Sequence, residues 1–111
     1  MNHEKLECYR QLVLVAEEVA RRVTRWPKGH GDLVDQLRRA TTSAVLNLSE
    51  GNGKRRYRLE RRRFFEIALG SITEVAAALD LAHVFGLIQQ PELAALKSRL
   101  RLAYVQIRAL P

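Results

Sequence analysis

Seven of the ten residues from Lys54 to Arg63 are cationic: Lys54, Arg55, Arg56, Arg58, Arg61, Arg62 and Arg63, set against the single acid Glu60. Such a run does its chemistry electrostatically, because each ammonium or guanidinium can neutralise a phosphate and release condensed counterions. The chain carries a formal charge of +7, so the rest of the molecule contributes about +1. The charge is therefore a local patch that favours anionic partners, with phosphate backbones the most abundant. Arg38, farther back, is a candidate addition. Tyr57 is the only aromatic within the run, too little for a base-stacking platform, so backbone contacts would position a nucleic acid without reading its sequence. A charged helix start that merely keeps the chain soluble is the competing explanation. Cations at a helix amino terminus oppose its dipole by a few tenths of a kcal/mol each, which favours a ligand as the reason for their placement.

Residues capable of catalysis or metal binding do not converge. His3, His30 and His83 fall in three separate regions, and none has another histidine or a cysteine three or four positions away, so no metal and no cofactor are expected. His30-Gly31-Asp32 could suggest a dyad, but in a glycine loop entering a helix Asp32 is better read as a cap. His83 reads as a helix-surface or interface residue near Phe85. Cys8 has no histidine base close in sequence and reads as a small apolar packing group. Gly51-Asn52-Gly53-Lys54 lacks the spacing of a phosphate loop. Glu66 and Glu74 have no histidine three residues on, so the di-iron carboxylate pattern of some bundles is missing. The expectation is a protein without catalytic residues.

The elements that must carry these residues follow from periodicity and breakers. A chain of 111 residues suits one domain. Four helices are expected at about 4–25, 32–50, 57–85 and 91–109. The first shows Leu6, Tyr9, Leu12, Val13, Ala16, Val19, Ala20 and Val23 on one face, with Leu14 and Val15 off it. Trp26-Pro27-Lys28-Gly29-His30-Gly31 ends it. The second buries Leu33, Leu37, Ala40, Ala44 and Leu48 and is stopped by Gly51-Asn52-Gly53. The third, apolar around most of its circumference from Phe64 to Phe85 and closed by Gly86, should be buried on more than one side, which implies association between copies. Its acids Glu66, Glu74 and Asp80 argue for a buried soluble helix rather than a membrane span. The fourth begins at Pro91 and repeats every seven residues through Leu93, Leu100 and Ile107 and through Leu96, Ala103 and Leu110, the mark of shallow-angle bundle packing. The lone cysteine and the absence of an amino-terminal apolar segment point to a cytoplasmic protein.

A polar row runs beside the apolar stripe of helix 2: Gln36, Arg39, Ser43, Asn47 and Glu50. If helices 2 and 3 form an antiparallel hairpin, Arg39 faces Glu74, Ser43 faces Gly70 and Glu50 faces Arg63, because each pair of numbers has the same total. Ser71 adds a second small residue at the middle level. The row is either a wet surface or an interhelical seam; as a seam it would set register more than add stability. In both cases the bend brings the cationic run to one tip.

Gln36-Leu37-Arg38-Arg39-Ala40, Ser43, Asn47, Glu50 and Gly51, followed by Phe64, Ile67, Ala68, Gly70, Ser71 and Glu74, resemble the signature of proteins encoded by intervening sequences in bacterial 23S rRNA genes, also labelled S23 ribosomal proteins. The accessory variability proteins of diversity-generating retroelements are similar. The resemblance takes in Tyr9, Trp26-Pro27 and Phe85-Gly86-Leu87; Leu48-Ser49 departs mildly from the usual isoleucine-alanine. It implies an all-α, antiparallel up-and-down four-helix bundle assembling as a barrel-like homopentamer with a basic surface. The partners it implies are other copies of the chain and RNA, with docking of a reverse transcriptase or another protein as the alternative role, and no membrane.

Overall fold

The computed structural model describes the backbone of residues 3–111 and side chains from Lys5 onward. Helices α1 (His3–Val23), α2 (Gly31–Gly53), α3 (Arg58–Val84) and α4 (Gln90–Arg108) run up and down. Each packs on its neighbour in sequence, and α1 closes the square against α4; the most extensive contact is between α2 and α3. The result is an antiparallel four-helix rod of 46 × 23 × 18 Å. One end gathers the start of α1, the α2–α3 corner and the end of α4. The α1–α2 and α3–α4 turns occupy the other.

The core follows the expected periodicities closely on α2 and α4. Leu37, Ala40, Ala44 and Leu48 of α2, and Leu93, Leu96, Leu100, Ala103 and Ile107 of α4, are buried. Burying each large aliphatic side chain stabilises the fold by about 1.5–3 kcal/mol. On α3 the buried side is Phe65, Ala68, Ile72, Val75, Ala78, Leu79 and Ala82. Helix α3 is long and apolar enough by composition to cross a membrane, yet this face packs inside the bundle.

Helix α1 corrects the sequence reading. Leu12, Val19 and Val23 of the expected face are buried, but Cys8 and Val15 complete the buried stripe, whereas Leu6 is 69% exposed and Tyr9 is also exposed. Two apolar stripes lie side by side on this helix, and contact with α2 and α4 selects the one containing Val15. Cys8 packs as a small apolar group, and burial pushes its thiol up to about 11.

The turns show why the helices end where they do. Gly86, at φ +77°, closes α3: its N–H donates to the His83 carbonyl at 2.9 Å, and that of Leu87 to the Ala82 carbonyl at 2.8 Å. Gln89 and Glu92 form a reciprocal capping box at the start of α4, with Pro91 in its first turn. Asp32 is not a cap, because α2 already begins at Gly31 with no side-chain bond at His30; Asp32 sits in the first turn, where its charge suits the dipole.

Candidate nucleic-acid interface

Gly51 does not end α2, as its type suggests; the helix continues through Gly53. A β-carbon on Gly51 would lie 2.5 and 2.6 Å from Cε1 and Cδ1 of the Phe65 ring, so the glycine is there to let α3 approach. Beyond it the chain turns in four residues: the Lys54 N–H donates to the Gly51 carbonyl and that of Tyr57 to the Lys54 carbonyl, both at 3.1 Å. The tight corner forces the cationic run into a small volume.

Within that volume the cations have different tasks. Arg61 is structural. Its Nε donates to the Pro111 carbonyl at 2.7 Å and its Nη1 to the Gly51 carbonyl at 3.0 Å, while its guanidinium lies 4.9 Å from the centre of the Phe65 ring. It thereby ties the ends of α2 and α4 to the start of α3, which commits two of its donors internally. Burial first, then the charge of Arg55, lowers its pKa. Lys54 is half-buried, 3.9 Å from Glu60 and 5.9 Å from the centre of the Phe64 ring. Arg55, Arg56, Arg58, Arg62 and Arg63 are exposed. Among the described residues, Arg56, Arg58, Arg62 and Arg63 have no hydrogen-bond or ion-pair partner.

Two further cations join from elsewhere in the chain. Lys5 of α1 is half-buried, its pKa lowered by burial and then by the nearby charges of Arg55 and Arg61. Arg108, in the last turn of α4, shares a groove with Arg58 and Arg62. Neither belongs to the contiguous run; only the alternating direction of four helices brings their ends together. Arg38 does not join. It is exposed on α2, thirteen residues before Gly51, about 20 Å away at the α-helical rise.

The polar row is a seam at the solvent margin of the α2–α3 contact, shifted from the expected pairs. Ser43 and Ser71 share a hydrogen bond of 2.7 Å between hydroxyls, and Asn47 donates to the Ser43 carbonyl at 2.8 Å. Glu74 accepts from Gln36 instead of pairing with Arg39, which donates to Gln36 Oε1 at 3.4 Å. Gly70 is exposed, with open space where a side chain would be, so Ser71 takes the middle level. Glu50 and Arg63 are both exposed and form no ion pair among the described residues. Long charged side chains at a wet margin gain little from holding one geometry, so the short polar ones set the contact.

His30 and His83 sit at the far end: the His30 ring is 5.9 Å from that of Phe85, and His83 Nδ1 is 3.1 Å from the Ile88 carbonyl oxygen. The side chain of His3 lies outside the described residues. Among the described residues no three His, Cys, Asp or Glu side chains cluster as a metal site would require.

The geometry defines an antiparallel four-helix bundle whose α2–α3 corner exposes Arg55, Arg56, Arg58, Arg62 and Arg63. The family described as 23S rRNA-intervening sequence protein matches residues 4–108, and the chain belongs to it. No curated protein matches the chain.

Proposed function

We propose that this protein binds RNA through the cationic end of the bundle, catalyses no reaction on it, and works in the cytoplasm as an assembly of identical copies, by resemblance a pentamer. The observation that carries the reading is the convergence of Arg56, Arg58, Arg62 and Arg63 with Lys54, Lys5 and Arg108 at an end where the first four have no partner among the described residues. An unpartnered guanidinium is available to a phosphate without first giving up an ion pair. The family's description refers to an rRNA context.

Self-association is supported by the outward side of α3. Ile67, Leu81 and Val84 are exposed there, Val84 at 73%, and Gly70 and Ala77 between them are small. The spacing of 67, 70, 74, 77, 81 and 84 is that of a bundle seam, with Glu74 its one charged member. Several cationic ends in one assembly would strengthen binding wherever one long RNA reaches more than one of them.

Fluorescence anisotropy with a labelled single-stranded RNA tests the binding. About six phosphate contacts on a single strand should give a log-log salt slope of about −4. The triple variant Arg56→Glu, Arg62→Glu, Arg63→Glu should lose binding, with Arg61 kept because it holds the corner together. Unchanged RNA affinity in that variant, accompanied by loss of a protein partner such as a reverse transcriptase, would transfer the role to an adaptor. Light scattering tests the assembly, and a monodisperse monomer would sink it.

A further inference from the structure

A groove of about 550 Å³ lies between the first turns of α3 and the last turn of α4, within the range of small-molecule sites. Its rim carries Arg58, Arg62 and Arg108, and its apolar surface includes Leu59, Leu69 and Leu110. Phosphate neutralisation alone needs only a convex cationic surface. Leu59 is 87% exposed, so burial in the bundle does not explain a large apolar side chain at this position. Guanidinium groups beside an apolar floor suit a ligand that is anionic at one part and flat and poorly hydrated at another.

An unstacked nucleotide has that character. Bases that leave a stack are held on apolar or aromatic side chains and on arginine planes, while their phosphates meet cations. The groove opens directly onto the run from Lys54 to Arg63, so a strand leaving it continues along cations. Glu66, the one acidic side chain in the lining, disfavours a phosphate beside it but can accept hydrogen bonds from a base.

From this arrangement we infer that the α3–α4 groove receives one unstacked nucleotide of single-stranded RNA, its base on Leu59, Leu69 and Leu110 and its flanking phosphates on Arg58, Arg62 and Arg108. The inference deepens the RNA-binding reading and rests on it. It adds selection for single-stranded or looped RNA over duplex, because a paired base cannot enter the groove.

The test compares three labelled probes on the full chain: a ten-residue oligoadenylate, an abasic oligomer with the same number of phosphates, and an RNA duplex of ten base pairs. The oligoadenylate should bind at least tenfold tighter than the abasic strand and tighter than the duplex. Leu59→Ser, at a position too exposed to threaten folding, should reduce the tenfold preference to less than threefold and leave abasic binding unchanged. Equal affinity for oligoadenylate and abasic strand would overturn the groove while leaving phosphate binding intact. Binding of none of the three probes would overturn the RNA reading and the groove together. Capture of an acidic amphipathic peptide, abolished by Leu59→Ser and accompanied by no base preference, would assign the groove to a protein.

Discussion

The two ends of the bundle treat charge in opposite ways. At the far end Glu18 of α1 accepts from Arg21 and, at 2.7 Å, from Arg22, which also lies 3.8 Å from Glu92 of α4. Nearby, Lys97 reaches Asp80 at 2.8 Å, joining α4 to α3. At the corner end Lys54 has Glu60 at 3.9 Å, and Arg56, Arg58, Arg62 and Arg63 have no partner among the described residues. At the first end Arg22 and Lys97 join helices to one another. The cations at the second hold like charge together, which destabilises the fold slightly and leaves them ready for an anionic ligand. Arg61 is the exception that makes the second arrangement possible, since it spends its charge on backbone carbonyls and a ring.

Matched charge reversals give the largest expected contrast. The triple glutamate variant at Arg56, Arg62 and Arg63 should weaken RNA binding at least a hundredfold at about 100 mM salt, whereas Arg21→Glu, Arg25→Glu, Lys28→Glu at the far end should change it less than threefold. Equal losses would mean that the charge acts through the net field and that the corner has no special part. Rigidity of the corner is tested next. Gly51→Ala should destabilise the chain by about 1–3 kcal/mol in thermal or urea unfolding, because the clash with the Phe65 ring outweighs the roughly 1 kcal/mol of helix propensity gained. Gly70→Ala, facing open space, should instead stabilise the isolated chain by up to about 1 kcal/mol.

A smaller contrast separates neighbours in the run. Arg61→Ala should cost about 1 kcal/mol of stability through its lost carbonyl bonds, and Arg62→Ala less than about 0.5 kcal/mol, with the larger effect on RNA affinity falling on Arg62. The smallest effect belongs to the far end, where Glu18→Gln should cost about 0.5 kcal/mol. The hydrogen bond from Arg21, aided by the charge of Arg22, holds the Glu18 carboxyl below its ordinary 4.5. Its contribution is therefore full above about pH 4.5 and disappears as the pH falls through the lowered folded value, so wild type and Glu18→Gln should converge in stability in acid. A gap that persists below pH 3 would mean that Glu18 acts by packing instead.

Helix number, order and approximate bounds were legible in the residues, because a 3.6-residue apolar period and punctuation by Pro27, Gly86 and Pro91 are local properties that the backbone obeys wherever the helix is placed. The heptad of α4 even indicated which of its residues turn inward. The basic run was legible for the same reason, as contiguous charge stays together. Residue types could not say which of two adjacent apolar stripes on α1 turns inward, since Leu6 and Val15 are equally apolar and only contact with α2 and α4 distinguishes them. They could not show that Gly51 lies within a helix beneath a phenylalanine ring, that Arg61 faces carbonyls while Arg62 faces water, or that Lys5 and Arg108 arrive at the same corner. Those outcomes depend on distances between segments far apart in the chain, and only the packing of all four helices sets them.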